Sequence, residues 1–330
     1  MNRSISKKIP FEVLHWNIQD GKSVSGPKQD DPDFLEILQG KSIFCLQETK
    51  GPISIPGYLC YNKLREKSRS GGVCTGIARE IATRWKAREV FTGHEDILAV
   101  NLSPPGGDGE TPLLVVNVYD SPSHSSYKRH NVGNQTSVME TLLNMLLNHQ
   151  YTEILLCGDM NARTRTLNHD LVETSTEHED SPRSHQIRSD RTRSSKDTRQ
   201  ADARGKQLID LLASLNATLL NGNCVGDITG EYTCVKYNGS SVVDYTAVTS
   251  GLYNMIKSYQ VLDLNVLSDH RPCLTKLAYP GPRITEETLL ADLDPAPRRG
   301  YRTKTRMDDN SNSNSKISDY NSHFENLESR

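Results

Sequence analysis

The sequence predicts an α/β fold, a two-sheet α/β sandwich, on three observations. Many short apolar runs of strand length recur along the chain, only a few stretches between them carry a helical period, and no G-x-G-x-x-G follows any run, which argues against a Rossmann sheet. Phe11 to Ile18 reads as the first strand and stops at the turn signal Gln19-Asp20-Gly21. Pro32 to Leu38 follows as a short helix, with Phe34, Leu35 and Leu38 on one side and Gly40 as its stop. Ser42 to Gln47 is a second strand of the buried kind, and it hands Glu48 directly to a loop. Tyr58 to Asn62 and Val73 to Ala78 are strands on either side of a polar stretch ending in Gly71-Gly72. Beside Lys67 and Arg69 that glycine pair fits either a turn or a close approach by a phosphate backbone. Ile97 to Leu102 and Leu113 to Tyr119 form a hairpin across Pro104-Pro105-Gly106-Gly107. Thr136 to Leu147 is a helix through Val138, Leu142, Met145 and Leu146.

The next strand organises the rest. Ile154 to Gly158 runs apolar without alternation, as a strand covered on both faces does, and ends abruptly in Asp159-Met160-Asn161. Period-two geometry sends Asp159 and Asn161 the same way and Met160 into the packing. Alone, this stretch also fits an Asx turn. Residues 163–203 are crowded with charged and hydroxyl side chains and read as an insertion loop, whose His169, His178 and His185 are spaced as solvated histidines rather than metal ligands. Arg204 to Leu215 restores a helical period. Tyr232 to Val235 and Val242 to Val248 are strands around Asn238-Gly239, and Asp244 lies inside the second, where a buried carboxylate needs a partner. Ile256 to Val261 and Cys273 to Leu277 are the last strands, separated by Ser268-Asp269-His270-Arg271-Pro272.

Composition sets the limits. A hydrophobic share of 35% is low for a chain ordered throughout, and mean hydropathy is −0.60. A flexible N-terminus at 1–10, one domain at 11–279 and a disordered tail at 280–330 account for it. The basic Arg298-Arg299 and Arg302 to Arg306 in the tail read as a solvated run. A net charge of −2 means that any nucleic-acid contact is local. The seven cysteines form no C-x-x-C pair and read as buried reduced thiols, which favours an intracellular, nuclear or cytoplasmic chain. Met1 to Pro10 holds no apolar signal-like run and no apolar run long enough to span a membrane occurs, so neither a signal peptide nor a membrane partner is expected.

Asn17, Glu48, Tyr119, Asp159, Asn161, Asp269 and His270 all fall at strand ends, which a two-sheet sandwich gathers along one edge. Hard oxygen ligands with no thiolate cluster suit Mg2+ or Mn2+, and the chemistry suggested is metal-assisted attack of water on a phosphoester. No small organic cofactor is indicated, and the oligomeric state is not encoded in any of these features.

Six motifs in order carry a resemblance: Trp16-Asn17, Gln47-Glu48-Thr49, Val118-Tyr119, Gly158-Asp159-Met160-Asn161-Ala162, Val243-Asp244-Tyr245 and Ser268-Asp269-His270-Arg271-Pro272. Together they resemble the endonuclease/exonuclease/phosphatase family over about residues 11 to 278. Arg193-x-Ser195-x-Asp197, Asn221-Gly222, Gly226-Asp227 through Tyr232-Thr233 and Ser240-Ser241 resemble its branch of endonuclease domains from non-LTR retrotransposons, which accompany a reverse transcriptase. The resemblance implies a four-layer, DNase I-like sandwich and a hydrolase, a Mg-dependent phosphodiesterase that nicks DNA. It implies that Glu48 holds the metal with Asn17 and Asp269 beside it, that Asp159 orients or deprotonates water, and that Asn161 holds that water or a phosphate oxygen. It further implies that His270, oriented by Asp244, contacts the scissile phosphate and that Tyr119 helps position it. Two departures stand out. Gln19 occupies a place where the family's abasic-site nucleases carry an acid, with Asp20 displaced by one, and Asp120-Ser121 follows Tyr119. The family also contains phosphatases for inositol phosphates and other small phosphoesters, and a silent nucleic-acid-binding relic is the non-enzymatic alternative.

Overall fold

Both sheets are mixed, and each has a parallel pair near its middle, which explains where the strand ends go. The computed structural model describes residues 11–103, 112–125, 137–148, 153–171 and 192–278. All of them fall within one unit, Met1–Ile284. The expected flexible N-terminus, the Pro104 to Gly107 turn, His178, His185 and the tail lie outside the described residues. The first sheet has the order β15 (Ile256–Val261), β16 (Cys273–Leu277), β1 (Phe11–Asn17), β4 (Ile43–Gln47), β6 (Val73–Ala78), β5 (Tyr58–Lys63). The second has the order β11 (Ala217–Leu219), β14 (Asp244–Thr249), β10 (Glu153–Asp159), β9 (Leu113–Tyr119), β8 (Ile97–Ser103), β7 (Lys86–Val90). Two small hairpins, β2 (Lys22–Ser23) with β3 (Gly26–Pro27) and β12 (Cys234–Lys236) with β13 (Gly239–Ser241), complete the strands.

The unbroken apolar runs follow from burial on both faces. Phe11, Val13, Cys45, Val115, Leu155 and Cys157 meet between the sheets. Leu14, Trp16, Phe44 and Leu46 point the other way, onto the helix Pro32–Leu38. Val116, Leu156 and Met160 pack with the helices Val138–Asn148 and Ala203–Ser214 on the outside of the second sheet. Helix, sheet, sheet and helices make the four layers, and burying each core side chain contributes about 1.5–3 kcal/mol. No described helix is long and apolar enough to cross a membrane.

β1 and β4 are parallel, as are β9 and β10, so Asn17, Gln47, Tyr119 and Asp159 end on one edge. Antiparallel β14 and β16 begin there. Gly158 makes the close strand contact possible: its φ is +137°, and a Cβ would lie 2.0 Å from the Val118 carbonyl oxygen. Below the edge, Gln47 Nε2 donates to Asn117 Oδ1 across the sheets at 2.7 Å, and Asn117 Nδ2 donates to the Leu46 and Cys74 carbonyls.

Several expectations need correction. Asp244 does not lie within a strand that starts at Val242; it is the first residue of β14, because the Val243 carbonyl is taken by the Met160 N–H as the chain enters the sheet. Only the middle of the expected insertion lies outside the described residues. Its returning end is pinned by Arg193, buried and donating to the carbonyls of Leu167 and Asn221. Gly71 and Gly72 are packed against the Arg65 guanidinium and the Thr49 hydroxyl, which is the turn reading rather than a phosphate approach.

His15 stands between Cys45 and Cys273 in the register of β1, 1% exposed, with neither ring nitrogen hydrogen-bonded. Burial pushes its pKa down to about 4, against a smaller opposing pull from Asp244. Because the unfolded ring binds its proton near pH 6.5, the neutral form's contribution is complete above that pH and is lost as pH falls toward 4, up to about 3 kcal/mol. Urea unfolding of His15→Phe should therefore show a shallower loss of stability between pH 6.5 and 4 than the unsubstituted protein. Equal pH slopes would show that His15 does not set this dependence.

Candidate active site

A single side-chain amide joins the two sheets at the shared edge. Asn17 Nδ2, fully buried, donates to Glu48 Oε1 and to Asp159 Oδ2, both at 2.9 Å. Its Oδ1 accepts from the Gln19 N–H at 2.9 Å, which fixes the amide's orientation, since a flipped amide would set donor against donor. Glu48 is held at a φ of 54° and Asn161 at 43°, in the left-handed region, and Gln19 and Lys50 share that conformation. Four such non-glycine residues around one edge store backbone strain of about 1–3 kcal/mol each.

Asp159 is 1% exposed and accepts from Asn17, from the Asn161 N–H at 2.9 Å and from Asn161 Nδ2 at 3.0 Å. Its cross-strand neighbour is Asp244, also buried. Burial, then the Asp244 charge, raise the Asp159 carboxyl to about 7, against the opposing pull of His270 and the amide donors. His270 Nδ1 meets both Asp244 oxygens at 3.0 and 2.9 Å, and Thr233 Oγ1 donates to Asp244 Oδ2 at 2.7 Å. For His270, burial opposes the charged ring, but the Asp244 carboxylate outweighs it and holds the imidazole well above its ordinary range. The ring's backbone is fixed twice: Trp16 Nε1 donates to the His270 carbonyl at 2.8 Å, and the His270 N–H donates to Ser268 Oγ at 3.1 Å.

Tyr119 pairs with Asp159 in the β9–β10 register. Burial, then the charges of Glu48 and Asp159, raise its phenol, so it remains a neutral donor, hydrogen-bonded with Glu48. The Arg65 guanidinium lies 5.3 Å from its ring centroid and forks onto Asp96 at 2.7 and 2.8 Å. Asp269 is exposed and one step outside the cluster: Gln19 Nε2 donates to its Oδ2 at 3.0 Å, and its own N–H donates to Gln19 Oε1. Asp20 turns away, accepting from the Lys22 N–H and pairing with Lys50 at 3.5 Å.

Seven of the eight sequence-derived residues thus form one connected network, and Gln19 links the eighth to it. Sequence reasoning missed Gln19, Thr233, Ser268 and Arg65 as supports. Thr233 and Ser268 stood inside quoted motifs, whereas Arg65 had no local signal. Among the described residues, Asp159, Asp244 and His270 are the acidic and imidazole groups whose ligand atoms lie within 4.8 Å of one another. Since Asp244 and His270 are already bonded to each other, that set is better described as an ion-paired dyad facing a carboxylate than as a metal cage. Glu48 and Asp159, drawn together by one amide, form no ion pair with a lysine or arginine among the described residues. A hard oxygen set short of positive charge fits a divalent cation.

Residues 113–274 match the family described as endonuclease-reverse transcriptase. Among solved structures, the AP endonuclease LMAP from Leishmania major aligns with a TM-score of 0.57 at 14% identity, covering 81% of this chain and 87% of that one. The endonuclease domain of TRAS1, a telomere-specific non-LTR retrotransposon, aligns at 0.54 and 16% identity, covering 82% and 99%. The Xenopus laevis APE2 catalytic domain aligns at 0.54 and 16%, covering 81% and 92%. These likenesses carry the fold. Comparison with curated protein sequences gives no match.

Asp244→Asn should lower the His270 imidazole pKa through loss of the facing charge, as read by NMR titration of the ring protons. An unchanged titration would show that Asp244 does not hold the proton there.

Proposed function

Since the chain belongs, by residues 113–274, to the endonuclease/exonuclease/phosphatase family in its endonuclease-reverse transcriptase branch, we propose that it is a Mg-dependent phosphodiester hydrolase that nicks DNA. The observation that carries this is the buried Asp159 carboxylate, held by Asn17 and Asn161 and facing a charged His270–Asp244 dyad. A carboxyl raised to about 7 is a poor acid in water but a well-matched base near neutral pH. Asp159 takes the proton from water, and Asn161 keeps that water or a phosphate oxygen in line. His270, cationic and fixed through Nδ1, leaves Nε2 to donate to a phosphate oxygen as charge builds on it. Tyr119 adds a neutral hydroxyl donor. Glu48 would hold Mg2+ or Mn2+ with Asn17 and Asp269 beside it, and the bound ion supplies charge neutralisation at phosphate oxygen. Gln19, in place of an acid, keeps Asp269 oriented without adding a further negative charge to the edge.

Supercoiled plasmid should be converted to the nicked form with Mg2+ and not with EDTA. Asp159→Asn and His270→Ala should each slow nicking by roughly 10²–10⁴-fold. Near wild-type rates in either variant would reject these roles, and turnover of an inositol phosphate with plasmid untouched would favour a phosphatase.

A further inference from the structure

A cavity opens beside the dyad and is lined in part by two residues of the active site, His270 and Asn161. Its volume is about 280 Å³, just under the range of about 300–1,000 Å³ typical of pockets that take a whole small molecule. It therefore suits one unit of a longer ligand. Its character is polar and cationic: Arg163, Arg199 and Lys236 line it, and Cys234 and Val243 supply its apolar atoms. Arg199 forks onto Asp197 with two contacts at 2.7 Å and gives Nη2 to the Ser240 carbonyl at 2.6 Å, so it acts as a wall tying the β12–β13 hairpin to the returning end of the insertion. Arg163 is 3.8 Å from the same Asp197 carboxylate, yet its buried Nε has no hydrogen bond. Lys236 is exposed and forms no ion pair among the described residues. Three cations against one carboxylate leave the cavity with excess positive charge, next to where the reacting phosphate would lie.

We infer that this cavity binds a second, non-scissile phosphodiester of the polynucleotide strand, with Lys236 and Arg163 as its cations, so that the enzyme selects a bond inside a chain over an isolated ester. This rests on the hydrolase reading above. Phosphate contacts position a strand without reading its bases, so the cavity contributes affinity and register rather than sequence preference. The hairpin carrying Lys236 also sets Thr233, the residue just before β12, against Asp244, so strand binding and the dyad are built on one short segment.

The test compares Lys236→Ala and Arg163→Gln with the unsubstituted enzyme on two substrates, a duplex oligonucleotide and bis(4-nitrophenyl) phosphate, which has a single diester and no neighbour. The ratio of kcat/KM for oligonucleotide over aryl diester should fall about tenfold in each variant, the size expected for a lost charged contact. The slope of log KM against log salt should fall by about one per cation removed. A ratio and slope matching the unsubstituted enzyme in both variants, while that enzyme cleaves both substrates, would overturn the cavity inference and leave the hydrolase reading standing. Turnover of neither substrate by the unsubstituted enzyme would overturn both.

Discussion

The bond from Asn17 Nδ2 to Asp159 Oδ2 spans 142 residues of sequence and closes the two sheets over one edge. Everything chemical depends on it, because the same amide also holds Glu48, and without that bridge two carboxylates from different sheets would repel across an open seam. The bridge is possible because each sheet has a parallel pair near its middle. Parallel strands end on the same side, so β1 and β4 deliver Asn17 and Glu48 where β9 and β10 deliver Tyr119 and Asp159. One layer below, Gln47 and Asn117 repeat the connection between amides, which keeps the sheets in register where a purely apolar contact would leave them free to slide.

Electrostatics at this edge is a balance between burial and compensation. Asp159 and Asp244 sit opposite each other in neighbouring strands, an arrangement that costs stability in an ordinary sheet. Here the cost is offset by His270, by Thr233 and by three donors to Asp159, and what remains appears as an Asp159 carboxyl shifted toward neutral pH. Strained backbone at Gln19, Glu48, Lys50 and Asn161 belongs to the same pattern. Local conformational preference gives way where side chains must converge.

Much of the fold was legible in the sequence, and the reason is physical. Strands covered on both faces lose their polar alternation, so Ile43–Gln47, Leu113–Tyr119 and Glu153–Asp159 announce themselves as apolar runs. The edge strands β7 and β11 carry no such signal: Lys86–Val90 is mostly polar, and Ala217–Leu219 is too short to show a period. The motif residues were legible as strand-end polar groups because so many of them recur along the chain, whereas any one alone would also fit a turn. Their supports were not. Arg65 reaches Tyr119 from a loop 54 positions away, and no local pattern encodes such a contact. Gln19 read as a departure from an acidic site, and only the fold shows it bonded to both Asn17 and Asp269. Asp244 read as a strand-interior residue because Val242 and Val243 continue the apolar run, although they form the entry into β14.

The central claim is that Glu48, brought beside Asp159 by Asn17, supplies a carboxylate to one divalent ion at this edge. Mn2+ binding, followed by loss of its free-ion EPR signal, measures that directly. One ion per chain and at least about tenfold weaker binding in Glu48→Gln is the expected result, the size of one lost charged contact. Binding of Mn2+ by Glu48→Gln with unchanged stoichiometry and affinity would contradict it.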